Sequence, residues 1–222
     1  MKTANLVREL RFPIILTLIG IILLISRVVY THEIRFVFLI WNLLLALIPF
    51  FISRWTKVLE TNNLSYMVAF AGWMLFLPNA PYIITDFIHL EYSSQETFMI
   101  DFVLIGVFAL VGLILATLSI QHILESLQSK MSPARSWLII MGVILLSGIG
   151  IYLGRFIRWN SWDIVNSPHL IIADIWFMFR YPSLHVFAWK FSLSISMLIF
   201  AFQLSYQFII NYVKKKRVFF SN

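Results

Sequence analysis

Runs of apolar residues about as long as a lipid hydrocarbon layer is thick constrain this chain more than any other feature. Crossing such a layer takes about 20 helical residues, and six stretches qualify: 12–30, 34–52, 64–84, 98–122, 136–157 and 184–212. Only helices and closed barrels satisfy their backbone groups in hydrocarbon, and runs of this length without two-residue alternation select helices. The sequence therefore predicts an all-α transmembrane fold, a six-helix bundle forming one integral membrane domain over 1–222. With 60% apolar and 12% charged residues, the chain lies far from the soluble average. The first run exceeds a signal-peptide core and is read as a permanent span.

Charge sets orientation and excludes some functions. The net charge is +7, but Lys and Arg are dispersed between apolar runs rather than gathered on one face, which argues against nucleic acid as a partner. If both termini are cytoplasmic, Lys2, Arg8, Arg11, Arg54, Lys57, Lys130, Arg135, Lys214, Lys215, Lys216 and Arg217 fall on that side. Those are eleven of the 17 basic residues, and the positive-inside rule selects this N-in, C-in arrangement, with both termini on the cytoplasmic side of a plasma membrane. The basic end Lys214, Lys215, Lys216, Arg217 offers a contact for anionic inner-leaflet lipid, and equally a simple stop-transfer anchor. Seven of the ten acids (Glu33, Asp86, Glu91, Glu96, Asp101, Asp163 and Asp174) and His32, His89, His169 and His185 gather on the outer side. With no cysteine, disulfides and thiolate catalysis are ruled out; the sequence names no cofactor or metal.

Local signals mark the element ends. Ser93 with Glu96 reads as a capping box before the fourth span, Ser132-Pro133 as a cap before the fifth, and Ser167-Pro168 as the start of a short apolar helix over about 168–180. A helix that short is interfacial or re-entrant.

Two stretches carry candidate chemistry. In Leu77-Pro78-Asn79-Ala80-Pro81-Tyr82 the prolines break the third span and free the carbonyls of Met74 and Leu77, and Asn79 supplies donors. Such a break either lines a binding site or shapes the packing. If winding continues beyond it, Tyr82, Asp86 and His89 share a face, and Asp86 with His89 form a base and its orienting partner or two metal ligands. Glu91 and Asp101 would join them if the following loop folds back. In the second stretch, Gly154 to Asp163, Arg155 and Arg158 lie three apart and can clamp an anion, or pair structurally with Asp163, Asp174, Asp86 or Asp101. Asn79, Tyr82, Arg155, Arg158 and Asp163 are thus substrate-binding candidates, and Asp86 and His89 catalytic ones. Helix six carries His185, Trp189, Ser192, Ser196 and Gln203 as one stripe, the spacing of a close helix crossing, as is Gly150-x-x-x-Gly154.

These motifs, LPNAPYIITDFIHL and GRFIRWNSWD, resemble those of DUF1361, a bacterial family of integral membrane proteins defined as a domain of unknown function. The resemblance spans nearly the whole chain. It implies a bacterial membrane protein and brings no activity, cofactor or site residue with it. Three functions stay open from sequence: a structural protein or partner of another envelope protein, an enzyme acting on an outer-leaflet lipid or lipid-linked phosphate, and a small-solute transporter.

Overall fold

A computed structural model describes residues 2–56 and 63–221, with side chains at 6–56, 63–213 and 216. Lys2, Lys57, Glu60, Lys214, Lys215 and Arg217 lie outside the described side chains. The helices are α1 (Lys2–Thr31), α2 (Phe38–Thr56), α3 (Asn63–Phe76), α4 (Asn79–Tyr82), α5 (Phe98–Gln128), α6 (Pro133–Tyr152), α7 (Asp163–Asn166), α8 (Pro168–Arg180) and α9 (Val186–Ser221). A 3₁₀ stretch, Ile83–Tyr92, follows α4, and one π turn, Leu153–Ile157, ends α6. No strand occurs among the described residues. Six segments are long and apolar enough to cross a membrane: Leu6–Thr31, Phe38–Thr56, Asn63–Tyr92, Phe98–Gln128, Pro133–Ile157 and Val186–Val213. The six expected spans are therefore present. The third is broken as expected but runs eight residues further, because winding continues as a 3₁₀ helix instead of opening into a loop.

The chain divides into two compact units, residues 1–122 and 123–222. In the first, α2 buries Leu39, Leu43, Ala46 and Phe50, a stripe with alternating steps of four and three. Trp73, Leu77, Ala80 and Ile83 are equally buried along the broken helix, and α3 and α4 pack on α2. Local hydrogen bonds satisfy several carbonyls of the break. The Leu77 carbonyl accepts the Ala80 N–H at 3.1 Å, the Pro78 carbonyl accepts that of Tyr82 at 3.1 Å, and Asn79 Nδ2 donates to the Phe76 carbonyl at 3.0 Å. Asn79 thus serves Phe76 rather than Met74 or Leu77, since the tightened turn supplies Leu77 from the backbone. The break packs against Gly112 of α5, where an added Cβ would collide with the Ala80 carbonyl.

In the second unit α6 crosses α9 at Gly148, where a Cβ would collide with Ser196 and the Ser192 carbonyl. Ser196 Oγ lies 3.1 Å from the Ile144 carbonyl and 2.8 Å from that of Ser192. Ser192, Ser196 and Gln203 are buried along one stripe, so close packing explains their spacing. Helix α8 begins at Pro168 as expected. Its Met178 joins Leu153 and Ala188 in a core that Ile171 and Ile175 border, while Ile172, Trp176 and Phe179 are exposed. At about 20 Å its 13 residues are too short to span. Ser132 and Ser167 occupy cap positions, but neither hydroxyl caps its helix.

Candidate functional site

In the first unit, chemistry-bearing side chains gather at two ends: the distal end, where α1 finishes and α5 begins, and the N-terminal end, where α1 begins and α2 finishes. A 3₁₀ helix has three residues per turn, so side chains three apart eclipse one another. The stretch Ile83–Tyr92 therefore stacks Ile83, Asp86, His89 and Tyr92 in one column. Ten residues is long for this winding, whose hydrogen bonds are poorer than those of an α-helix. The column climbs from the core to the surface: Ile83 and Asp86 are buried, the His89 side chain is 32% exposed, and Tyr92 is open. Tyr82, four residues before Asp86, would share a face under α-helical winding and falls outside the three-residue repeat of the column; its carbonyl accepts the Thr85 hydroxyl at 2.7 Å.

Helix α2 fixes the column from the side. Asn42 Nδ2 donates to Asp86 Oδ2 at 2.8 Å, and the Phe38 ring, one turn earlier, lies 4.8 Å from the His89 ring. His89 Nε2 stands 4.0 Å from Asp86 Oδ1, beyond hydrogen-bond length but within ion-pair range. A buried carboxylate thus sits beneath a half-exposed imidazole, with Tyr92 on the open side, its ring centroid 6.5 Å from that of His89.

Beside this column is a buried ion pair that the sequence reading did not pick out. Arg27 Nε donates to Asp101 Oδ1 at 3.0 Å, with the two side chains 2% and 0% exposed. Ser93 Oγ donates to Asp101 Oδ2 at 2.7 Å. The remaining Arg27 nitrogens reach the Glu33 carbonyl at 3.1 Å and its Oε2 at 3.3 Å, and the guanidinium lies 4.9 Å from the centre of the Phe36 ring. Arg35 bonds the same Glu33 carboxylate at 3.4 Å and the Tyr92 carbonyl. Asp101 accordingly completes an arginine knot rather than the Asp86–His89 pair. The expected Ser93–Glu96 capping box is displaced by one residue. Ser94 Oγ accepts the Thr97 N–H at 3.3 Å, which leaves Ser93 for Asp101. The available signal was Arg27 itself, a charge inside an otherwise apolar span, and such charges find partners.

At the N-terminal end Arg54 bonds Glu9 Oε2. His122 Nε2 lies 3.2 Å from the same oxygen, and its Nδ1 is 3.0 Å from Ser53 Oγ. Ser53 is fully buried, so this Ser–His–Glu series holds α1, α2 and α5 together and offers a substrate no access to the hydroxyl. Asp101 and His122 are 21 residues apart on α5, about 32 Å, which is the thickness of the hydrocarbon. The two polar ends therefore lie at opposite boundaries of the layer.

In the second unit the α-helical spacing expected of Arg155 and Arg158 is lost. Arg155 sits in the π turn, and Arg158 ends it in the left-handed region, with φ 68° and ψ 30°, so no regular helical face joins them. Arg158 is exposed. The nearby carboxylates take other donors. Asp163 Oδ2 accepts the Asn160 N–H at 2.7 Å, and Asp174 Oδ2 accepts Trp159 Nε1 at 2.7 Å. Asp163 thereby closes its own turn.

Among the described residues no three His, Asp or Glu side chains gather as a metal would require. No curated protein and no solved structure matches the chain. A family match does exist over residues 41–206, which take in Asn42, the broken helix, the Asp86–His89 column, Asp101 and Arg155 to Asp163, and by that match the chain belongs to the family described as Protein of unknown function (DUF1361).

Proposed function

We propose that this multi-pass protein lies in a bacterial plasma membrane with both termini cytosolic, and acts at its outer surface through Asp86 and His89. The observation that carries this reading is the buried carboxylate beneath a half-exposed imidazole. Asn42 holds Asp86 from below, Asp86 orients the neutral His89 and stabilises the imidazolium as it forms, and the outward face of the imidazole takes a proton from a hydroxyl presented at the headgroup layer. Groups in unliganded sites often stand too far apart and close on the substrate, which accommodates the 4.0 Å separation. The substrate class this suits is an outer-leaflet lipid or lipid-linked phosphate. Asn79 and Asp163 already serve neighbouring backbone, so neither is assigned to the substrate here; Arg158, exposed in its own unit, is a headgroup contact.

A structural or partner-binding role is favoured by the Arg27–Asp101–Ser93–Glu33 knot, whose charges are spent on one another. Transport draws less support, because the broken helix bonds its Phe76, Leu77 and Pro78 carbonyls locally and presses its Ala80 carbonyl against Gly112.

The test uses a strain lacking the chromosomal gene and complemented with Asp86→Asn or His89→Gln, with envelope lipids profiled by mass spectrometry. Loss of a general base costs about 10²- to 10⁴-fold in rate, so both variants should match the deletion strain in profile while accumulating in the membrane like wild type. Wild-type profiles from both variants, where the deletion alters the profile, would leave the structural reading in its place.

A further inference from the structure

An apolar cleft of about 170 Å³ opens in the first unit between α1 (Leu10, Ile14, Thr17), α2 (Leu43, Leu47) and α5 (Leu115). Its walls carry almost no polar surface, and apolar cavities of about this size stay dry and accept apolar guests. Every wall belongs to a membrane-crossing segment, so the guest at hand is a lipid chain. Leu47 precedes Arg54 by seven residues and Leu115 precedes His122 by seven, about 10 Å along each helix. The cleft therefore starts just beneath the polar layer of the N-terminal end, where the upper part of an acyl chain runs.

The rim says which lipid. Arg11 lies on the same stripe of α1 as Ile14 and Leu18, at steps of three and four, and Arg8 is one turn further out. Both are exposed, and neither forms an ion pair with a described residue. Arg54 is committed to Glu9, the acid that the described residues of the first unit place at this end. Guanidinium groups bind phosphate oxygens through paired hydrogen bonds, and Arg11 directly follows Leu10 at the α1 wall of the cleft, with Arg8 one turn outward along the chain.

We propose that this cleft seats one acyl chain of an anionic phospholipid from the leaflet on the N-terminal side, with its phosphate held by Arg11 and Arg8. The site is separate from the basic end of α9, which belongs to the other unit. It needs only the membrane fold and stands whether or not Asp86 and His89 are catalytic.

Native mass spectrometry of the purified full chain in detergent, titrated with phosphatidylglycerol or phosphatidylcholine of identical chains, tests it. With a basic side chain at a membrane surface contributing about fivefold, two arginines predict a preference for phosphatidylglycerol of about thirtyfold. Arg8→Gln with Arg11→Gln should abolish the preference. Leu47→Trp or Thr17→Phe, which fill the cleft from different helices, should abolish tight binding of either lipid; two sites guard against one variant failing to fold. Neutralising Lys214, Lys215, Lys216 and Arg217 should leave the preference intact. Equal binding of the two lipids to wild type, retention of the preference without Arg8 and Arg11, its loss on neutralising the α9 bases, or competition by inorganic phosphate alone would each overturn the proposal.

Discussion

Arg27–Asp101 at the distal end of the first unit and Arg54–Glu9 at its N-terminal end are both arginine–carboxylate pairs, and the two live in different surroundings. Arg27 and Asp101 are 2% and 0% exposed, whereas Arg54 and Glu9 are 23% and 33% exposed. Coulomb attraction at a given distance grows as the dielectric falls, but so does the cost of removing each charge from water. The buried pair is therefore committed. Asp101 takes Arg27 on one oxygen and Ser93 on the other, and Arg27 spends its remaining donors on Glu33. The half-exposed pair is adjustable, because water can replace either partner. Identical chemistry thus makes a structural rivet at one boundary and a soft contact at the other. The Asp86–His89 column lies between these extremes, with a buried acid and an open base.

The comparison breaks most easily at Asp101. Asp101→Ala leaves the Arg27 guanidinium without its buried counter-charge, with only the half-exposed Glu33 carboxylate still beside it, and should cost about 3–5 kcal/mol, read as a large drop in unfolding midpoint in detergent. Replacing both partners, Arg27→Met with Asp101→Leu, removes the uncompensated charge and should recover most of the loss. If the double variant is no better than the single, the knot does not act as a pair. Ser93→Ala sharpens the point at smaller magnitude. It strips one donor from a buried carboxylate and should cost about 1–3 kcal/mol; a neutral result would mean that water reaches Asp101, contrary to its complete burial.

Which of these features the sequence disclosed follows from how far apart their partners lie. The six spans were legible because length and apolarity are local quantities, and Pro78 and Pro81 marked the break because proline acts on its own turn. The end of the third span was not legible. Thr85, Asp86, His89 and Glu91 have the polarity of a loop, and contacts from distant residues, such as Asn42 to the buried Asp86, 44 residues away, hold that stretch wound. The winding type then decided the site: three-residue turns align Asp86 and His89 and drop Tyr82. Arg27, a charge in an apolar run, is not singled out by the sequence reading; its partner lies 74 residues on, and no local pattern selects Asp101 over Asp86. The expected face of Arg155 and Arg158 failed because a π turn and a left-handed residue end the helix between them. Ser93 and Ser94 were equivalent caps by type, and the demand of Asp101 for a donor separated them.

The smallest expected effect is at the soft end. Glu9→Gln keeps an acceptor for Arg54 and removes only the charge, so it should cost under about 1 kcal/mol, as partly exposed ion pairs do. The wild-type midpoint should also carry a weak salt dependence from this pair, since the Debye length shortens from about 10 Å at 0.1 M to 3 Å at 1 M; Glu9→Gln should remove it and Asp101→Ala should not. His122 limits the loss further. When neutral, it can accept the Ser53 hydroxyl at Nδ1 and direct its Nε2 proton to residue 9. When protonated, it donates from both nitrogens while Ser53 turns its hydroxyl to the Phe50 carbonyl 2.7 Å away. Either state leaves the buried Ser53 hydroxyl partnered, so the contact among α1, α2 and α5 survives removal of the Glu9 charge. A cost for Glu9→Gln as large as that of Asp101→Ala would show that the N-terminal end is as dry as the distal one, and the contrast between a rivet and a soft contact would disappear.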